Sequence, residues 1–442
     1  MDHLECDLLV VGGGMAGLSA AGWAAERGAK VVVIERGAAT GGSAALSAGV
    51  VWTATSPGRM ALYGGGNMAL GGAILDTYPH AIEWLRRRGV AVSDAVSVLN
   101  GRGYQIDIIE HLQGCARLAE QHGGVIALET EVKALQQDET GAVIGALTHH
   151  ADGDLDIRAS ATLLASGGFQ ASPEMRARYI HPNARDMRLR SNPYSDGAGI
   201  RLGQAVGAAT DAANPGFYGH LVSESSEWGL ERHFTGLSQY HSEHCLLVNE
   251  VGQRFCDESL GDHASTNSIV VQSGSRAICF WDQRVHQAYA TRAVTEGIPP
   301  IDKMQVALEY GGKGITATSL DEIAAFASGQ GFDGAAVVRT IDDFNRQARH
   351  SWETIHPPRA ETCLPFDGAP FYALVVHPAI TFSYGGLVID RDARVLNGDG
   401  KAISGLLAAG GDAGGVYTSG YCGGLSMAMA FGIRAAMSAG WT

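Results

Sequence analysis

The sequence predicts an α/β fold: a parallel sheet that binds a dinucleotide, interrupted by an inserted α+β domain. Three observations predict it. Asp7 to Arg36 reads as strand, glycine turn, helix, strand. Short apolar runs at Ala161 to Ser166 and Gly405 to Ala409 end in further glycine turns, as strands returning to one buried sheet would. From Gly216 to about Pro365 histidines, aromatics and charges rise, and glycine turns onto strands become fewer. The expected division is 1–215 and 366–442 for the two parts of the dinucleotide domain, with 216–365 inserted as a substrate or capping domain.

The opening unit justifies itself residue by residue. Leu8 to Val11 suit a strand buried on both faces, and Gly12, Gly14 and Gly17 form a G-x-G-x-x-G turn into helix Met15 to Arg27. Gly12 permits the tight turn, Gly14 lets a pyrophosphate approach the backbone, and Gly17 lets the helix pack close to the strand. Unpaired N–H groups at the helix start, those of Met15 and Ala16 included, favour an anion. Lys30 to Ile34 is the second strand. Glu35, 18 residues after Gly17, stands where an acid binds ribose hydroxyls, with Arg36 beside it. A lone glycine motif is weak, but strand, helix and acid in order make this a Rossmann-like site rather than a chance turn.

Composition excludes several functions. A net charge of −14 repels nucleic acid and anionic membranes. Seven scattered cysteines, without C-x-x-C or C-x-x-C-H, point to buried thiols in a reducing compartment and give no iron–sulfur or c-type haem module. No apolar run of about 18 residues spans a membrane, and no signal peptide precedes the first strand, so a cytoplasmic protein is expected.

Further along, residues 37–52 are small enough for backbone to approach something flat, although a flexible loop reads equally well. Residues 53–75 read as a glycine-rich loop or lid. Tyr78 to Arg87 and Asp107 to His122 read as helices, with Asn100 to Tyr104 a turn before the second. Val125 to Leu128, Glu131 to Leu135 and Val143 to Thr148 are strands, and Arg201 to Gly207 continues a helix. The insertion holds strands Cys245 to Asn249 and Ala277 to Trp281 and helices Leu320 to Ala327 and Ala335 to Ala348. Gly386 to Asp390 is a strand, and Gly424 to Gly440 is the last helix. His241, His244 and His263 look like a cluster, but no i, i+4 pair or thiolate pair supports a metal site, and none is expected.

Seven stretches together resemble the flavoproteins of the fumarate reductase and 3-ketosteroid dehydrogenase superfamily over nearly the whole chain. They are VVGGGMAGLSAA, GGS with SAG at 41–49, LASGGF at 164–169, GQRFCDE at 252–258, SYGGLVID at 383–390, GLLAAGGDAGG at 405–415 and GYCGGLSMAMAFG at 420–432. The chain's end looks most like the tricarballylate dehydrogenase branch, whereas SAALSAGVVW looks more like ketosteroid dehydrogenases. The resemblance implies a glutathione-reductase-type domain holding FAD, and the absence of the histidine motif that attaches it covalently implies a noncovalent flavin. It places the ADP half on Gly12, Gly14, Met15, Ala16, Gly17, Glu35 and Arg36, and the pyrophosphate and ring by Gly42, Ser43, Ser47 and Gly49. The adenine falls to the Val132 backbone, with Ser166 and Gly167 nearby, and the flavin pyrimidine to the N–H groups of Leu425 and Ser426. Where relatives carry A-G-E this chain has Ala409-Gly410-Gly411, so the ribityl acid is absent or replaced by Asp412.

The same resemblance implies chemistry across a C–C bond beside a carbonyl or carboxylate, with a small-molecule substrate and an external electron acceptor. It also marks two losses. The proton-delivering arginine of fumarate reductases has no counterpart after Glu258, and the substrate-clamping arginine is replaced by Tyr421. The histidine of H-T-M-G-G becomes Tyr384, while a histidine survives at His220. Tyr384 and Tyr421 are the candidates for proton transfer and carbonyl binding, though both could be packing residues, and His220 could bind a carbonyl or be a satisfied core histidine. A ketone is the favoured substrate, because a polycarboxylate needs convergent cations and only Arg102, Arg188 and Arg190 offer themselves.

Overall fold

The structure is a computed structural model. It describes residues 2–98, 101–211, 216–225, 231–293, 300–361, 363–418 and 420–442, without the side chains of residues 2 and 231–233. The chain forms two compact units: Met1–Ile180 with Ser191–Phe217 and Phe382–Thr442, and His181–Arg190 with Tyr218–Thr381. The insertion therefore runs to Thr381 rather than 365, and His181–Arg190 joins it. Backbone pairing decides this: strand Phe371–Ser383 pairs with Ala277–Asp282 and Gly314–Ala317, and Arg188 and Leu189 pair with Ala379 and Ile380.

The first unit is built on a parallel run of strands in the order Ala402–Ala408, Gly153–Leu164, Asp2–Val11, Val31–Ile34, Val125–Ala127. Arg394–Leu396 closes one edge antiparallel, and Glu131–Gln137 and Val143–His150 branch off Gly153–Leu164. Leu8, Leu9, Val10, Val31, Val32 and Val33 are wholly buried, which is why these runs carry no polar alternation. Each such side chain contributes about 1.5–3 kcal/mol on leaving water.

Helix Met15–Ala25 is buried at all eleven positions. Its alanines and glycines let backbones meet: a Cβ on Gly432 of the last helix, Gly424–Ser438, would lie 2.2 Å from the Ala16 carbonyl. Valine at 432 would force these two helices apart. Helix Ile108–Gln121 packs on the same helix and buries His111. Arg88 Nη1 lies 3.4 Å from His111 Nδ1, making that nitrogen the acceptor, so the ring's Nε2–H points to Ser19 Oγ at 3.1 Å.

Two expectations fail here for one physical reason. Residues 53–75 are not a loop: they complete strand Val50–Ala54, form helix Pro57–Gly64, capped by Ser56, and begin helix Met68–Arg87, capped by Asn67. The presumed turn is a strand, Gly101–Gln105, paired with Val50–Ala54 and Val96–Val98, and Asn100 lies outside the described residues. The glycines signal packing, not flexibility. A Cβ on Gly103 would meet the Cβ of Trp52 at 2.3 Å, and one on Gly71 would meet Met60 at 2.7 Å.

The second unit has its own core around Phe280, Trp281, Leu247, Phe344 and Phe366, covered by helices Leu320–Gly329 and Gly334–His350. Buried Glu258 is gripped by Arg254, Nε to Oε1 at 3.0 Å and Nη2 to Oε2 at 2.5 Å, with Arg359 Nη1 at 3.5 Å. Both arginines also donate to backbone carbonyls, so the R-F-x-x-E motif persists as a structural stitch.

Candidate active site

The site in the first unit lies at the carboxyl ends of the parallel strands, where α/β sheets bind ligands. A cleft of ≈ 430 Å³ is lined there by Gly12, Glu35, Arg36, Val132, Ser166 and Tyr194, among others. Gly12 has φ +111°, and a Cβ on it would strike the Ala165 carbonyl at 2.3 Å, so only glycine makes this turn. A Cβ on Gly14 would meet nothing within 4 Å, which leaves the start of helix Met15–Ala25 open to a phosphate. Glu35 accepts from Gly13 N at 2.8 Å and Gly37 N at 2.7 Å, and so fixes the glycine loop besides facing the cleft. Arg36 pairs with Asp196 at 3.0 Å and donates to the Tyr194 carbonyl, tying the cleft's rim.

Next along the expected path, Ser43 Oγ meets Ser191 Oγ at 2.7 Å and accepts from Asn192 N at 3.2 Å. Ser191 accepts from Gln170 Nε2 at 3.3 Å, and Gln170 Oε1 accepts from Ser383 Oγ at 3.2 Å. This buried line of hydroxyls was not legible beforehand; the Gln170 that follows the G-G-F turn was its only signal. Gly42, φ +51°, begins the short helix Gly42–Ala45, Ser47 Oγ closes it on the Ala44 carbonyl, and Gly49, φ +73°, lies against the Ile106 carbonyl.

Asp412 requires a correction. Its carboxylate is wholly buried and accepts from Ser166 N at 2.5 Å, Ser166 Oγ at 3.1 Å and Gly168 N at 3.1 Å. It is committed to the turn after strand Gly153–Leu164, not to a ribityl chain. Burial pushes its pKa up while these donors pull it down. No acid fits at 411 either, because a Cβ there would lie 2.6 Å from Gly167 backbone.

Three phenols meet at the start of the last helix. Tyr417 has its ring 5.8 Å from Tyr384 and 5.7 Å from Tyr421, whose ring stands edge-on to Trp52 at 5.8 Å. The Tyr421 hydroxyl accepts from Gly424 N at 2.6 Å. Tyr417 donates to the Gly423 carbonyl at 3.0 Å, and Ser426 Oγ donates to the same carbonyl at 3.0 Å and to that of Trp52. Burial, with Cys422 and Tyr421 nearby, holds the Tyr417 phenol well above its ordinary pKa, so it stays protonated. The N–H groups of Leu425 and Ser426, in the first helical turn, take no backbone partner among the described residues. The sequence pointed to Tyr384 and Tyr421 but missed Tyr417, although it precedes Tyr421 by one helical spacing. Open phosphate-facing backbone at Gly14, the cleft by Glu35 and these free N–H groups together fit a flavin dinucleotide.

In the second unit His220 is buried, with Nδ1 2.5 Å from Asp262 Oδ2 and its ring edge-on to Tyr240 at 5.0 Å. Burial lowers its pKa, against the pull of Asp262. Arg190 is taken up by Tyr240 Oη at 2.8 Å, Ser238 Oγ, Thr381 Oγ1 and the Phe234 carbonyl, and Arg102 is exposed. His241, His244 and His263 rest on Trp281, Tyr289 and Tyr218 respectively. Among the described residues no three histidine, cysteine or acidic side chains are placed to hold a metal ion, and no helix is long and apolar enough to cross a membrane.

The model of the FAD binding domain family matches residues 7–426. The probable fumarate reductase Ifc3 of Shewanella frigidimarina (strain NCIMB 400) is 27% identical, over 95% of this chain and 72% of its own length. The 4-oxocyclohex-2-ene-1-carboxylate 5-dehydrogenase of Sinomonas cyclohexanicum is 26% identical, over 69% of this chain and 55% of its own. The 3-ketosteroid Δ4-(5α)-dehydrogenase of Rhodococcus jostii RHA1, solved with 4-androstene-3,17-dione, has the same fold, with a TM-score of 0.76 at 21% identity, over 99% of this chain and 97% of that one.

Proposed function

The chain belongs to the FAD binding domain family, and from that premise we propose that it introduces a C=C bond α,β to the carbonyl of a cyclic ketone. It is an FAD-dependent oxidoreductase of the fumarate reductase and ketosteroid dehydrogenase type. The observation that carries the finer reading is the phenol cluster: Tyr384, Tyr417 and Tyr421 meet where Tyr417 to Leu425 supplies no cationic side chain. Neutral donors suit a ketone oxygen, whereas a carboxylate asks for guanidinium or ammonium groups.

Held by the Gly14 backbone, the cleft beside Glu35 and the Leu425 and Ser426 N–H groups, FAD would supply the hydride acceptor for the β carbon. The residues have other work. Tyr421 accepts the Gly424 N–H, and a hydrogen bond donated by its phenol to the substrate carbonyl would polarise the ketone and acidify the α C–H. The same N–H and the positive helix end stabilise negative charge on Tyr421 oxygen. Tyr384, its ring beside those of Phe382 and Tyr417, would act as base in its phenolate form, taking the α proton to become the neutral phenol. Ser426 and Tyr417 pin the Gly423 carbonyl and so keep the Gly424 N–H aimed. The relative acting on 4-oxocyclohex-2-ene-1-carboxylate supports this choice.

The likeness to fumarate reductase favours a second reading, in which the enzyme saturates the double bond of a conjugated acid. Anaerobic titration separates the two. A cyclic ketone should bleach the oxidised flavin band under the first reading. Under the second, ketones leave it unchanged, and the chemically reduced protein is reoxidised by an unsaturated acid.

A further inference from the structure

The hydrogen-bonded line from Ser383 to Ser43 has a direction, set by groups that can only donate and groups that can only accept. Gln170, at its centre, is 1% exposed. Its Nε2 donates to the Gly167 carbonyl at 2.8 Å, and its Oε1 accepts from Ser383 N at 3.4 Å and Ser383 Oγ at 3.2 Å. A carbonyl never donates and a backbone N–H never accepts, so the amide cannot be turned over. Ser383 Oγ accepts the Phe169 N–H at 3.1 Å, which leaves its one hydrogen for Gln170. The second hydrogen of the Gln170 amide goes to Ser191 Oγ at 3.3 Å.

Ser191 is buried, so having accepted on one side it must donate on the other. Among the described residues its acceptor is Ser43 Oγ, at 2.7 Å. Were Ser43 the donor instead, the buried Ser191 hydrogen would be orphaned. Ser43 Oγ also accepts the Asn192 N–H at 3.2 Å, so both of its lone pairs are taken. What remains is one hydrogen on a half-buried hydroxyl, and among the described residues it meets no acceptor. Ser43 stands beside the glycine turn. Gly41 N donates to the Gly13 carbonyl at 2.7 Å, and a Cβ on Gly42 would lie 3.5 Å from the Gly14 Cα.

We propose that Gln170 is a positioning residue for the cofactor, acting through Ser191 to make Ser43 a fixed donor to a pyrophosphate oxygen of FAD. The relay moves no proton and adds no charge. It sets the direction of the Ser43 hydroxyl in advance, so that Ser43 offers a hydrogen, and not a lone pair, to an anionic oxygen that has no hydrogen of its own. Every link from Ser383 to Ser43 lies within the first unit. The inference rests on FAD as the cofactor and holds whether the substrate is a ketone or an acid.

The experiment follows FAD release from the holoprotein after dilution, read as the rise of flavin fluorescence, in a cycle of Gln170→Glu and Ser43→Ala. Ser43→Ala alone should speed release about 10–100-fold, the loss expected for a hydrogen bond to a charged group. A carboxylate at position 170 takes the Ser191 hydrogen, Ser191 then takes that of Ser43, and Ser43 turns a lone pair toward the pyrophosphate. Gln170→Glu should therefore release FAD at least as fast as Ser43→Ala, and adding Ser43→Ala to it should leave the rate unchanged or slow it. A glutamine that merely packs the turn predicts instead that the two effects multiply. Further acceleration beyond about threefold in the double variant, or a rate within about twofold of the wild type in either single variant, overturns the assignment. If Gln170→Glu does not fold or does not hold flavin, Ser191→Ala decides. It should speed release about three- to tenfold in the wild type and less than about twofold in the Ser43→Ala background, and equal acceleration in both overturns the assignment.

Discussion

Replacing Tyr421 with phenylalanine removes one oxygen whose work in the structure is defined. The hydroxyl accepts the Gly424 N–H at 2.6 Å, shorter than the usual 2.9 Å of such bonds. Its loss leaves that N–H unpaired at a partly exposed helix start, a cost of about 1 kcal/mol. For a chain of this size the melting temperature should then fall by only about 2 °C. The effect on reaction should be far larger, because a donor aimed at a developing oxyanion contributes a factor of about 10²–10³. The assay is stopped-flow flavin bleaching under anaerobic conditions at saturating ketone. Tyr417→Phe is the control: it deletes a hydrogen bond to the Gly423 carbonyl, which Ser426 Oγ still satisfies, so the rate should stay within about tenfold. If Tyr421→Phe bleaches within threefold of the wild type, or Tyr417→Phe is slowed as much, the role given to Tyr421 is refuted.

Acid should destabilise the fold with a predictable slope. Burial and Arg88 bring His111 down to about 3, and burial and Lys303 bring His241 down to about 3, whereas both titrate near 6.5 in the unfolded chain. The unfolded state therefore takes up protons that the folded state refuses as pH falls from 6.5 toward 3. Each histidine costs about 1.4 kcal/mol per pH unit in that window. Chemical denaturation between pH 6.5 and 4.5 should show it, and His111→Gln should flatten the slope; an unchanged slope would count against a buried neutral imidazole. Asp412→Ala strips the partner from three donors, one buried and two part-buried, at about 1–3 kcal/mol for the buried one, yet should weaken FAD binding less than tenfold in a Kd measurement, the opposite of a ribityl ligand's signature. Gly14→Val should fold with little change in melting temperature, since its Cβ meets nothing, but purify colourless; a yellow variant would remove the pyrophosphate from that helix start.

Local signals made the cofactor half legible in the sequence. The glycine turn, the alanine-rich helix and the buried strands each depend on neighbours a few residues away, and Gly12, Gly14 and Gly17 stand as those local rules require. Failures came where a distant residue decides. Gly101 and Gly103 read as a turn until Trp52, some fifty residues earlier, is seen to need their missing side chains. Asp412 looked like a misplaced ligand because its true partners, Ser166 and Gly168, lie nearly 250 residues away. The line from Gln170 through Ser191 to Ser43 is likewise built from residues with no common motif. Motifs single out Tyr384 and Tyr421 as candidates, whereas the Tyr417 ring beside both is visible only in the geometry.

The central claim, a phenol-lined flavin enzyme that desaturates a cyclic ketone, is tested most directly by anaerobic titration of the oxidised protein with cyclohexanones bearing or lacking a carboxylate. Stoichiometric loss of the oxidised flavin band, with the matching enone found by mass spectrometry, is the predicted result. A band that no ketone alters, in protein whose reduced flavin an unsaturated acid reoxidises, would contradict it.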